Sequence, residues 1–450
     1  MRDLSKIVKA YDIRGVVPDE LDEETAGAIG AAFAHFTKAP KIVIAHDMRE
    51  SSGPLSRAFA EGATSQGTDV VLAGLGSTDM LYFAAGSLDV PGAMFTASHN
   101  PAQYNGIKLC LAGAKPVGQD TGLAEIRGLV ENGVPAHDGK PGEITEHELV
   151  DDYAAFLREL VDLTNIRQLK VVVDAGNGMG GYTVPHVLKD LPLDVVPMYF
   201  ELDGSFPNHE ANPIDPANLV DLQAKVRETQ ADIGLAFDGD ADRCFVVDER
   251  GEVVSPSVVT ALVAVRELGK HPGSSIIHNL ITSKAVAEIV REHGGTPVRS
   301  RVGHSFIKAT MGETNAVFGG EHSGHFYFRE FWRADSGMLA ALHVLAALGE
   351  TPSGTTLSQL LAEYSRYVAS GEINSTVDDG PGIAAKVRDT YAKQDGIEVD
   401  ELDGLTVTAS TWWFNLRPSN TEPLLRLNVE ADDQATLDRV RDEVLALIRG

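Results

Sequence analysis

"LKVVVDAGNG", residues 169–178, is a β-branched run that ends on Asp174 and a turn of small residues. Three consecutive valines leave no face for water, so a strand here must be covered on both sides. Strands of that kind belong to parallel sheets with helices packed on each face. Two further segments open the same way, "KIVIAHD" at 41–47 and "SSIIHNLITS" at 274–283, each giving way to turn residues and a helix-like stretch. The three lie roughly 100 residues apart, which predicts three α/β domains of similar build. The tail differs: "LTVTASTWWFNLRPSNTEPLLRLNVEA" (405–431) alternates, is strand-rich and leads into a terminal helix, so a smaller C-terminal α+β domain is expected. Turn-rich punctuation at "GVPAHDGKPG" (133–142), at Gly251 and at "GEINSTVDDGPG" (371–382) sets boundaries of 1–145, 146–252, 253–367 and 368–450.

The composition agrees with several domains. The chain has 450 residues, too many for one compact core, and 43% hydrophobic with 23% charged residues is ordinary for a soluble globular protein. A net charge of −27 argues against binding nucleic acid, because a polyanion is repelled. Any anionic ligand must instead be met by local basic groups working against the global field. Two cysteines, Cys110 and Cys244, are too few for a disulfide framework or a structural zinc site and read as small core side chains. "MRDLSKIVKAYDIRG" lacks the apolar stretch of a signal peptide, and "MLAALHVLAAL" (338–348) is well short of the ~20 residues that cross a bilayer. No membrane association and a cytoplasmic location are expected.

Four loops can carry chemistry. In "DIGLAFDGDADRCFVV" (232–247), Asp238, Asp240 and Asp242 alternate with small residues between two apolar runs. Carboxylates this close repel unless a cation sits among them, and hard oxygen ligands suit Mg²⁺ or Ca²⁺. An EF-hand is excluded, since Arg243 stands where its sharp turn needs glycine. Three ligands leave coordination open, and Mg²⁺ commonly completes its shell with phosphate oxygen. In "FGGEHSGHFYF" (318–328), glycines admit a close ligand while Glu321, Ser323 and His325 offer partners for sugar hydroxyls. In "LRPSNTEPLLRL" (416–427), Arg417, Ser419, Asn420 and Thr421 gather the donors a phosphate dianion needs. In "GAMFTASHNP" (92–101), Ser98 and His99 stand where an apolar strand stops. Gly176, Gly178 and Gly181, with Glu201 further on, match a dinucleotide-binding spacing, but that reading explains none of the other loops and a tight turn opening the second domain suffices.

"TASHNP", "DGDADR", "GEHSGH" and "RPSNTEP", in that order, together resemble the α-D-phosphohexomutase family, in its phosphomannomutase/phosphoglucomutase branch. "KAYDIRG" (9–15) and "VGHSFIK" (302–308) fit the same pattern. The resemblance implies four domains around a central cleft and interconversion of hexose 6-phosphate and hexose 1-phosphate through a phosphoserine and a hexose 1,6-bisphosphate. It implies phosphorylation of Ser98, Mg²⁺ on Asp238, Asp240 and Asp242 with the Ser98 phosphate as a further ligand, sugar hydroxyls on Glu321 and Ser323, and the non-reacting phosphate on Arg417, Ser419, Asn420 and Thr421. Tyr11, Arg14, His99, Lys108, Arg243 and His304 match positions lining the cleft, with Lys108 beside Ser98 as a proton-handling group. Partners are then small hexose phosphates, with a monomer or small homo-oligomer.

The chain departs from the family pattern at His322 (methionine in many relatives), at Ile281 (a lysine in several, with Lys284 nearby) and in "AHDMR" (45–49), where Asp47 and Arg49 remain. These departures bear on sugar choice. A phosphoglucosamine or N-acetylglucosamine-phosphate mutase is the nearest alternative. A non-catalytic sugar-phosphate sensor would have no need of Ser98 and the three aspartates.

Overall fold

The computed structural model describes residues 4–418 and 424–450, without the side chain of His304. The first three units each hold a mixed sheet. The first runs Ile13–Val16, Tyr104–Leu111, Gly92–Phe95, Lys41–His46, Asp69–Leu75, Ile144–Glu146, with Lys115–Pro116 paired off the path. The second runs Val253–Val254, Cys244–Asp248, Ile233–Phe237, Leu169–Asp174, Leu193–Met198. The third runs Thr296–Ser300, Ser275–Asn279, Phe318–Gly320, Phe326–Phe328, Ala334–Asp335. In each sheet the apolar run picked out by sequence is an interior strand with parallel neighbours on both sides. Each is followed by a helix: Ser52–Ser65, Gly180–Val187 and Lys284–Glu292.

The three units share a device that places their loops. Gly92–Phe95, Ile233–Phe237 and Phe318–Gly320 each pair in parallel with that interior strand on one side. On the other side each pairs antiparallel with the strand that follows it in sequence. The connecting loops, 96–103, 238–243 and 321–325, therefore leave the carboxyl ends of the parallel strands, where open α/β sheets bind ligands. The serine, aspartate and glycine-glutamate loops are thus topologically equivalent positions in three successive units. In the fourth, fully antiparallel sheet, residues 419–423 join Trp412–Pro418 to Leu424–Ala431.

The first sheet ends on Glu146 and the second on Val254, past residues 145 and 252, and Gly251 is the turn before Val253–Val254 rather than its close. Edge strands of two or three residues are too short to show a period.

One hydrophobic core runs through the first three units, while the fourth has its own, built from residues such as Phe414, Leu427, Val440 and Val444. Phe83, Phe156 and Trp332, from the three units in turn, pack within 6.3 Å of one another. The contacts between the third and fourth units are polar instead: Lys284 Nζ to Asp432 at 2.9 Å, Arg299 to Asp400 at 2.5 Å, and the Val302 N–H to Asp403 at 3.0 Å. Cys110 and Cys244 are buried, as expected, and burial pushes the Cys110 thiol up to about 12. No helix among the described residues is long and apolar enough to cross a membrane.

Asp79 ties the three units together. Its carboxylate accepts Tyr153 Oη at 2.7 Å and Ser336 Oγ at 2.6 Å, and it also bonds Ser77. Burial pushes it up to about 6 from an ordinary 3.8, outweighing these donors. A raised carboxyl favours the folded state below the ordinary value and loses that contribution as pH rises through about 6. Asp79→Asn, which cannot ionise, should therefore gain on the unaltered protein by about 3 kcal/mol as pH goes from about 4 to 7. Paired denaturation curves across that window measure the difference.

Candidate active site

The serine, aspartate and glycine-glutamate loops meet at one point. Ser98 lies in the left-handed region at φ 49, costly for a residue with a Cβ, and its N–H is held by Thr96 Oγ1 at 2.9 Å. From there its hydroxyl donates to Asp238 Oδ2 of the second unit at 2.9 Å. Gly239 permits this approach, because a Cβ there would stand 2.4 Å from the Ser98 carbonyl oxygen. Ala241, at φ 57, turns the loop back so that all three aspartates face inward.

The charges interlock. Arg243 donates to Asp238 through Nε at 2.9 Å and its backbone N–H at 3.1 Å. Its Nη2 reaches His99 Nδ1 at 2.7 Å, so that nitrogen is an acceptor. Burial, with Arg243 and Arg14 adding, pushes His99 down to about 3, and it stands neutral beside Ser98. Lys108 spans Asp240 at 2.8 Å and Asp242 at 2.7 Å. Burial acts against its charge, but the two aspartates overcome that and hold it as an ammonium well above its ordinary value. Burial raises Asp238 above its ordinary value, and the paired Arg243 works against that to keep it ionised.

These aspartates fit a metal. Ligand oxygens of all three lie within 4.8 Å of one another, and Asp240 Oδ1 and Asp242 Oδ1 are buried without a hydrogen-bond partner. Three wholly buried carboxylates with orphaned oxygens are a donor set for a hard cation. The flanking strands, paired from Phe237 opposite Cys244, give the loop no freedom to splay.

The third unit completes the centre. His325 Nε2 comes within 3.7 Å of Asp242, and His325 Nδ1 within 2.9 Å of Ser323 Oγ. Glu321 accepts the Gly303 N–H at 3.1 Å, Asn279 Nδ2 at 3.4 Å and Tyr327 Oη at 2.7 Å. Arg14 bonds Asn100 in the serine loop, and Tyr11 Oη lies beside Gly303. His304 opens the helix His304–Thr314, its side chain being outside the described set. Arg417 stands apart in the fourth unit, 3.9 Å from both Asp403 and Glu372. It reaches the centre indirectly: Asp403 also accepts the Val302 N–H, one residue before Gly303. Ser419, Asn420 and Thr421 lie outside the described residues.

Several residues at this centre had no sequence signal strong enough to pick them out. Thr78 donates Oγ1 to Asp240 at 2.6 Å and its N–H to the Asp240 carbonyl at 3.0 Å. It lies in "GLGSTDM" (74–80), a strand-to-helix opening like the three already recognised, and that likeness was the available signal. Tyr327 and Asn279 orient Glu321 from strands whose pattern reports only burial. The dinucleotide-like glycines form the expected tight turn. That turn packs on the aspartate loop, with the Met179 N–H on the Gly239 carbonyl at 2.9 Å, while the Glu201 carbonyl accepts Asn177 Nδ2.

Two of the three departures lie where the third and fourth units meet. Ile281 and His322 line a cavity of about 250 Å³ together with Trp413 and Glu430. Lys284, the nearby lysine, belongs to the same junction. Its ammonium is engaged by Asp432 and sits 3.9 Å over the Tyr367 ring.

Comparison with known proteins bears on all four units. Phosphoglucomutase/phosphomannomutase alpha/beta/alpha domains I, II and III match residues 5–136, 151–251 and 256–367, and the family's C-terminal domain matches 372–447. A phosphomannomutase of Escherichia coli is 40% identical over 452 residues, 98% of each chain. Phosphohexose mutases of Xanthomonas campestris are 42% identical over 449 residues, 98% of this chain and 99% of theirs. A crystal structure of a phosphoglucomutase/phosphomannomutase family protein from Burkholderia thailandensis superposes with a TM-score of 0.90 at 34% identity, covering 100% of this chain and 98% of that one. With every domain matched in order over nearly its full length, the chain belongs to the phosphoglucomutase/phosphomannomutase family and is an isomerase of the phosphohexomutase kind.

Proposed function

We propose that the protein interconverts mannose 6-phosphate and mannose 1-phosphate, and the glucose pair as well, by lending a phosphoryl group from Ser98. The observation that carries this reading is the Ser98 hydroxyl on Asp238 at 2.9 Å, with Arg243 and Lys108 arrayed around the same carboxylates. The names of the relatives from Escherichia coli and Xanthomonas campestris support it.

Phospho-Ser98 gives its phosphoryl group to the free sugar hydroxyl. The Ser98 Oγ–P bond breaks, the sugar O–P bond forms, and the sugar hydroxyl proton passes by way of a base to the freed Ser98 oxygen, producing a hexose 1,6-bisphosphate and the Ser98 hydroxyl. The bisphosphate turns end for end, and its other phosphoryl group returns to Ser98: the sugar O–P bond breaks, the Ser98 Oγ–P bond re-forms, and the Ser98 proton passes by way of a base to the freed sugar oxygen. Arg243 and Lys108 lie where they balance the charge spread over the transferring oxygens. Mg²⁺ held by Asp238, Asp240, Asp242 and the phosphoserine would add charge neutralisation of the same kind. Glu321 and Ser323 hold sugar hydroxyls in either orientation. Arg417, Ser419, Asn420 and Thr421 bind whichever phosphate is not reacting.

That distal site belongs to a unit with its own core and a polar junction, so it is built to swing closed over the cleft and exclude water. Small-angle scattering should show compaction when sugar phosphate is added, and an unchanged profile would count against closure. Turnover is tested with Mg²⁺, a trace of hexose bisphosphate, and mannose 1-phosphate, glucose 1-phosphate or an amino-sugar phosphate. Conversion of mannose and glucose phosphates is expected. Conversion of the amino sugar alone would reassign the substrate, and none at all would leave a binding protein.

A further inference from the structure

Arg49 has no part in the reaction just described, yet its side chain is only 2% exposed beneath the serine loop. Its Nη2 donates to the Ser98 carbonyl at 2.9 Å and the Asn100 carbonyl at 2.7 Å. Its Nη1 donates to the carbonyls of Pro101 at 2.9 Å and Tyr104 at 3.0 Å. Asp47 aims the guanidinium through Nε at 3.2 Å and is itself braced by Ser52 Oγ at 2.6 Å. Four carbonyl dipoles converging on one point repel unless a cation with several fixed donors fills it. A guanidinium meets that need, whereas an ammonium cannot reach all four.

The clamp explains how Ser98 keeps its left-handed backbone, a conformation that persists only where the surroundings over-determine it. It is also buttressed from the second unit. The Phe206 ring lies 5.1 Å from the guanidinium carbon, and Gly204 sits so close that a Cβ would stand 2.8 Å from Arg49 Cα. The element that shapes the serine loop is therefore touched by the unit that carries the three aspartates.

We propose that Arg49, backed by Phe206, is a positioning residue that holds the Ser98 turn in the shape needed for phosphoryl transfer and keeps it in register with the aspartate loop. This rests on Ser98 being the phosphoryl carrier. Three variants test it: Arg49→Lys, Arg49→Ala with and without added guanidinium, and Phe206→Leu. Steady-state kinetics and intact mass after treatment with hexose bisphosphate are the readouts. Arg49→Lys should lose roughly 100-fold in kcat with KM little changed, the signature of a displaced reacting group rather than a lost binding contact. Guanidinium should restore part of the Arg49→Ala rate, and Phe206→Leu should fall between Arg49→Lys and the unaltered protein. If Arg49→Ala does not fold, the other two variants still decide. Unaltered kcat in folded Arg49→Lys, or a loss confined to KM, overturns the proposal. An unaltered protein that never carries phosphate on Ser98 would instead sink the carrier assignment, and the clamp's purpose with it.

Discussion

Ser98→Ala is expected to reduce turnover by a factor on the order of 10⁶, the scale of removing a nucleophile on which the rest of a site depends. The substitution deletes one oxygen and leaves its surroundings in place. Arg243 still pairs with Asp238, Lys108 still bridges Asp240 and Asp242, and the Arg49 contacts go to backbone carbonyls that alanine keeps. The variant should fold, bind sugar phosphate with near-unaltered affinity and show no added phosphate by intact mass after exposure to bisphosphate. Near-normal turnover, or a phosphate found at another residue, would remove Ser98 from the mechanism.

Asp238→Asn should cost a factor on the order of 10³ in kcat, the loss typical of removing one preorganised electrostatic group. Asp238 serves three partners at once: it accepts the Ser98 hydroxyl, pairs with Arg243 and contributes to the candidate metal set. Asparagine matches its size and can still accept from the Arg243 backbone N–H, but it offers no charge to Arg243 or to a cation. Activity of the variant should need more Mg²⁺ for half-maximal effect. A kcat loss of the same size with an unchanged Mg²⁺ requirement would leave Asp238 as the partner of Ser98 and Arg243 but not as a metal ligand.

The parts of the site legible in the sequence are those whose chemistry is local. Asp238, Asp240 and Asp242 repel one another within five residues, so their reason for existing can be inferred without a fold. Arg417 beside Ser419, Asn420 and Thr421 reads as an anion site for the same reason. Thr78, Asn279 and Tyr327 carry no such mark. Each is a common residue in a buried element, and its role comes from a partner 162, 42 or 6 positions away. His99 and Lys108 were picked out by resemblance, but their protonation could not be. His99 is neutral because burial disfavours its charge and Arg243, from another unit, adds to that, and Lys108 is charged because two aspartates from that unit close on it.

Taken alone, the amino-acid order determined three apolar strands that cannot tolerate water on either face, hence three covered sheets, and the four loops that carry charge or donors. Strand burial and charge crowding act over a few residues, so short-range pattern is enough to express them. The tertiary structure alone decided that three of those loops leave equivalent strands and converge, that Ser98 meets Asp238, and that one arginine gathers four carbonyls beneath it. Those outcomes depend on how separate sheets pack through their shared core, and packing is a property of surfaces that lie far apart along the chain.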